Sequence, residues 1–130
     1  MNKLKGKIIE AITVDQFTKV KLEVADEIFV SIVIAVADIN PSLRVGNFTH
    51  FLFKETDITL SLDMPKLISI ANKIPVVIFA KEMGVLLSRI IVDFKGHLIS
   101  AVVPTDFAAQ FEIADTIIML VRSNEIMLLD

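Results

Sequence analysis

Apolar and polar residues alternate one by one over several stretches of this chain. Lys19-Val20-Lys21-Leu22-Glu23-Val24 alternates strictly, as does Ile58-Thr59-Leu60-Ser61-Leu62. A period of two sends successive side chains to opposite faces and predicts half-buried strands. Residues 28–36 are apolar at both parities apart from Ser31, which predicts a central strand or one lying in an interface. Turn-forming residues divide the runs at Val14-Asp15-Gln16, Asp26-Glu27, Asn40-Pro41-Ser42 and Val45-Gly46-Asn47. Five short strands fit within the first 62 residues, and only residues 35–39 and 105–111 suit a brief helical turn. The 14 Val and 19 Ile residues strengthen the strand reading, because β-branched side chains favour an extended backbone.

The pattern occurs twice. Asn2-Lys3-Leu4 returns as Asn72-Lys73-Ile74 at an offset of 70, and Phe29-Val30-Ser31 as Leu98-Ile99-Ser100 at 69. Lys54-Glu55-Thr56-Asp57-Ile58 returns as Arg122-Ser123-Asn124-Glu125-Ile126 at 68. Three matches in one order indicate duplication, with halves 1–62 and 69–130 joined through Asp63-Met64-Pro65-Lys66. Pro65 opposes a strand at the join. A sheet of five short strands limits its open edges best by curling up. The expected architecture is all-β: two tandem OB-like small β-barrels with short helical turns.

Composition narrows the function. The longest uncharged runs, residues 28–37 and 96–105, have ten residues each, whereas a membrane-spanning helix needs about 20 apolar ones. The opening segment mixes Lys3, Lys5, Lys7 and Glu10 with apolar residues, unlike a signal peptide. A cytoplasmic location without membrane insertion is expected. Without Cys there is no disulfide framework and no thiolate chemistry. The formal net charge is −3, and Lys and Arg are spread over both halves, so nucleic acid is not an expected partner. Lys3, Lys5 and Lys7 share one strand face, read as a solvated surface that resists aggregation.

Catalysis finds little support. His50 and His97 occupy non-equivalent places in the repeat and lack metal-ligand spacing with any acidic cluster. A His97, Ser100 and Asp106 triad has no nucleophile elbow or oxyanion loop beside it. With four Gly in the chain there is no phosphate-cradling loop. No catalytic residue, resident metal or organic cofactor is expected.

The segment Asn2-Lys3-Leu4-Lys5-Gly6-Lys7-Ile8-Ile9 resembles the opening of a molbindin, or TOBE, domain after its Ser-Ala-Arg-Asn signature. Lys54-Glu55-Thr56-Asp57-Ile58 resembles the closing Lys-Ser-Thr-Asp/Glu-Val element of that family. Ser69-Ile70-Ala71-Asn72-Lys73-Ile74 and Arg122-Ser123-Asn124-Glu125-Ile126 occupy the same two places in the second half. The resemblance implies paired OB-like barrels in a symmetric homo-oligomer, with molybdate or tungstate held where domains meet. It implies a role in storage, homeostasis or sensing, with a link to a molybdate transporter or regulator. The alternative is an interaction or regulatory module of the same fold that has lost its ligand and works through an apolar surface.

Molybdate is a tetrahedral dianion, and hydroxyls, amides and one or two cations suffice to hold it. Carried over residue by residue, the implied oxyanion-binding set is Ser69, Asn72, Arg122 and Ser123. Lys54 and Asn2 come from the first half, and Ser31 and Ser100 from the repeated apolar strand. Ala71 stands where the signature has Arg, and Glu55 stands where a hydroxyl donor is expected; a carboxylate there repels a dianion.

The 54% apolar content exceeds what a chain of this length can hide. Size-exclusion chromatography with light scattering is therefore expected to give a multiple of the 14.4 kDa chain mass. A stable monomer would refute self-association.

Overall fold

The alternating runs form ten β-strands in a computed structural model that describes residues 1–34 and 43–129. The first five are β1 (Asn2–Val14), β2 (Phe17–Val24), β3 (Glu27–Ile34), β4 (Phe48–Phe53) and β5 (Ile58–Ser61). They are followed by β6 (Asn72–Glu82), β7 (Leu87–Phe94), β8 (His97–Pro104), β9 (Thr116–Val121) and β10 (Met127–Leu129). The helical turn expected within residues 105–111 is present as α1 (Thr105–Ala108). The helical turn expected at 35–39 and the reverse turn expected at 40–42 lie outside the described residues.

All strand pairs are antiparallel, in two five-stranded sheets of order β10-β4-β1-β2-β3 and β5-β9-β6-β7-β8. The pairing scheme of one sheet is repeated in the other. Val24 faces Glu27 across a two-residue turn, and Phe94 faces His97 across another. Both central residues of each turn have positive φ: Ala25 (49°) and Asp26 (68°), Lys95 (47°) and Gly96 (94°). This is the mirror-image turn whose twist matches that of the flanking strands. Each sheet also has an irregularity at the same place, between Ile8 and Glu10 in β1 and between Ile78 and Ala80 in β6.

These registers correct the repeat. The Leu22–Phe29 pair matches Val92–Ile99, so the first three strands of each half are related by 70 throughout. The Leu52–Met127 pair matches Leu120–Thr59, an offset of 68 for the remaining strands. The step of 69 placed at Ser31 and Ser100 does not occur. Ser100 corresponds to half-buried Val30, and Ser31 corresponds to buried Ala101. A one-residue slip in a strand exchanges its faces, and the apolar character of both faces of β3 and β8 hid this one.

The halves also do not keep their own last strands. Division at 1–62 and 69–130 assigns β5 to the first half and β10 to the second, but β5 pairs with β9 and β10 pairs with β4. The connector between β4 and β5 is Lys54 and a single 3-10 turn, Glu55–Asp57, with no residue at positive φ. It carries the chain onward to the other sheet instead of folding it back. Arg122 and the 3-10 turn Ser123–Glu125 do the same before β10.

One contiguous core contains buried side chains of both sheets. Phe29 joins them, its ring lying 5.2 Å from that of Phe51 and 5.5 Å, edge-on, from that of Phe94. The described part of the run, residues 28–34, is not central: β3 is a sheet edge, and its outward residues Ile28, Ile32 and Ile34 are exposed, while residues 35 and 36 lie outside the described residues. Ile70 of the linker packs on Ile118 and Leu120, on the outer face of the second sheet.

Gly6 sits where two strands and a ring converge. A Cβ there would meet Leu22 Cβ and Val24 Cγ2 at 3.1 Å and Phe51 Cε1 at 3.3 Å. Gly6→Ala is expected to destabilise the fold by about 1–3 kcal/mol, in the range of core overpacking. Denaturant unfolding monitored by far-ultraviolet circular dichroism checks it.

Candidate functional site

The exchange of strands creates two equivalent corners, each where the start of one sheet's long strand meets the edge strand of the other sheet. At the first, the Asn2 amide nitrogen donates to the Ser100 carbonyl and the Ser100 N–H donates to Asn2 Oδ1, both at 2.9 Å. At the second, Asn72 Nδ2 donates to the Val30 carbonyl at 2.9 Å and the Val30 N–H donates to Asn72 Oδ1 at 2.7 Å. Each Asn side chain thus imitates one rung of a β-ladder and ties the free backbone of an edge strand to the other sheet. Asn72 also donates to the Val121 carbonyl at 3.0 Å.

The implied oxyanion set divides at these corners. Both N–H bonds of the Asn72 amide are used by carbonyls, which leaves no donor for a ligand. Ser31 is fully buried and spends its single proton on the Ile126 carbonyl at 2.8 Å, closing the gap between β3 and the start of β10. Asn2 is 92% buried and clamps Ser100. These three residues hold the corners together.

The remaining candidates lie further out. Lys54 and Arg122 are exposed and stand in matching places, each just ahead of its 3-10 turn. Ser123 is half-buried in the second turn, which packs against β3. Ser69 is exposed one residue before Ile70. Ser100 is half-buried on β8 and engaged through its backbone. Arg122 and Ser123 are adjacent, and Asn72 joins their strand to β3 directly beside them.

The charge environments of the corners differ. Glu55 Oε2 lies 3.2 Å from Arg89 Nη2 of β7, and Oε1 lies 4.0 Å from the Met1 ammonium. Lys19 is the counterpart of Arg89 but turns instead to Glu10 at 3.6 Å, where Lys21 is also held at 3.4 Å. Ser123 occupies the place of Glu55. Among the described residues, neither Arg122 nor Lys54 forms an ion pair. Hydroxyl and guanidinium donors at Arg122 and Ser123 suit a tetrahedral oxyanion; the first corner is already supplied with a carboxylate.

Arg89 was not among the residues singled out in the sequence. It lies 34 positions from its partner Glu55 and resembles any outward-facing strand cation. The parity of the buried Asn residues was legible, because Asn2 shares a strand face with Leu4, Gly6 and Ile8.

No family model matches the chain, and no curated protein does. A solved structure does match: that of the cytoplasmic molybdate-binding protein ModG, in a form with molybdate bound. The likeness covers 98% of this chain and 94% of that one, with a TM-score of 0.90 and 14% sequence identity. The two chains share a fold. ModG thereby agrees with the all-β, OB-like expectation over essentially the full length. Among the described residues no helix is long and apolar enough to cross a membrane, and no cluster of His, Asp and Glu has the makings of a metal site.

Asn72→Ala strands the Val30 N–H and carbonyl at a buried junction. A loss on the order of 3 kcal/mol is expected, from unsatisfied backbone groups and lost packing. Urea unfolding of Asn72→Ala beside Asn2→Ala measures it. The smaller loss is expected for Asn2→Ala, whose side chain makes two such hydrogen bonds rather than three.

Proposed function

We propose that this chain is a cytoplasmic oxyanion-binding protein that takes molybdate or tungstate reversibly, for storage, homeostasis or sensing. The observation that carries this reading is the near-complete structural likeness to ModG, a protein crystallised with molybdate bound. The repeated connectors, each a cation (Lys54 or Arg122) followed by a 3-10 turn, support it.

The ligand set is Arg122 and Ser123, with Ser69 completing it from the linker. A guanidinium offers only donors to a dianion and each hydroxyl can turn its one O–H toward it, and charge-assisted hydrogen bonds of this kind are roughly twice as strong as neutral ones. No bond is made or broken in the ligand, so no catalytic group is needed. Self-association belongs to the same reading. Val85, Leu86 and Leu87 are 93%, 81% and 58% exposed, and Phe17 and Ile34 are 54% and 73% exposed. A second copy seated on such apolar surface would lower the dielectric around a nearby anion and strengthen each contact.

Isothermal titration with molybdate, tungstate and sulfate tests the proposal. Heat of binding with the first two is expected. No heat with any of them would overturn it and leave an interaction module of the same fold. Arg122→Ala is expected to weaken binding about tenfold or more, the scale of one lost hydrogen bond to a charged group. Unchanged affinity would remove Arg122 from the site.

A further inference from the structure

We infer that Glu55 is a built-in anion that closes the first corner, so that each chain offers an external oxyanion only one of its two repeated corners, the one at Arg122 and Ser123. The inference rests on the proposed oxyanion function and concerns how many ions a chain holds.

The repeat makes the comparison residue by residue. At an offset of 68, Lys54 corresponds to Arg122 and Glu55 to Ser123, each pair standing at the same step of the same 3-10 connector. At an offset of 70, Arg89 corresponds to Lys19. The backbone framework is thus the same at both corners, down to the clamps of Asn2 on Ser100 and Asn72 on Val30. The charges around that framework are rearranged.

In the second corner Lys19 is drawn to Glu10, on its own sheet, and the turn contributes a hydroxyl at Ser123. In the first, Ala80 takes the place of Glu10, and Arg89, although Glu82 faces it across the strands of its own sheet, makes its ion pair with Glu55 at 3.2 Å. The other Glu55 oxygen faces the Met1 ammonium at 4.0 Å. The Glu55 side chain is only 22% exposed, so its charge is partly withdrawn from solvent screening. A carboxylate so placed satisfies the cation available there and repels a dianion approaching Lys54.

The exchange of Glu for Ser between two otherwise matched turns is therefore a switch in ion count. Removing the carboxylate releases Arg89 from Glu55 and leaves Lys54, a hydroxyl and a guanidinium as the donor types available at this corner.

The test is the number of tungstate ions bound per chain, counted by native mass spectrometry and by titration calorimetry. It compares the unaltered protein, Glu55→Ser, and Glu55→Ser combined with Arg122→Ala. One ion per unaltered chain, two for Glu55→Ser and one for the double variant are expected. Two ions on the unaltered chain, or a count that Glu55→Ser does not raise, would overturn the inference while leaving the oxyanion function standing. No ion on the unaltered chain but one on Glu55→Ser would uphold the closed corner and remove the native oxyanion function. No ion on either would remove both. Glu55→Gln keeps the side-chain length and removes the charge. It serves where the serine variant fails to fold, with the same rise in ion count expected and an unchanged count overturning the inference.

Discussion

Neither half of this protein completes its own sheet. β4 and β9 each have one edge that would present unpaired N–H and carbonyl groups, and the strand that covers it comes from the other half. Uncovered backbone groups in a strand are costly when buried and a template for aggregation when exposed. The reciprocal exchange of β5 and β10 meets that requirement twice over and makes the halves one folding unit with one contiguous core. The two corners exist because the connectors that carry the exchanged strands must pass the edge strands β3 and β8.

The Asn2 and Asn72 clamps follow from the same constraint. β3 and β8 are sheet edges, and their backbone groups at Val30 and Ser100 are satisfied by side-chain amides that mimic a further strand. A carboxylate could not do this, since a ladder rung needs one donor and one acceptor on the same group. Residues that resembled ligands thus became framework. The pair of groups suited to bind something is displaced outward, to the turns.

A duplicated backbone does not duplicate chemistry. Ser31 bridges β3 to the start of β10 through the Ile126 carbonyl, and Ala101 stands in its place in the other half. Glu10 gathers Lys19 and Lys21, where the second half has Ala80 opposite the matching surface. Each difference is a single side chain on a conserved pairing scheme, which is why sites must be argued from their own residues and not from the fold that carries them.

Much of the architecture was legible in local pattern: strict alternation marked β2 and β5, turn residues marked the hairpins, and the Asn-containing repeat marked the duplication. The register of β3 against β8 was not, because strands apolar at both parities carry no signal for which face is inward. The duplication, the all-β class and the residue types available for holding an anion are properties of the one-dimensional order of side chains, and the chain by itself determined them. Which strand completes which sheet, which polar groups are consumed by backbone, and which cation meets Glu55 are decided by contacts between residues tens of positions apart. Only closure of the tertiary structure brings those groups within bonding distance.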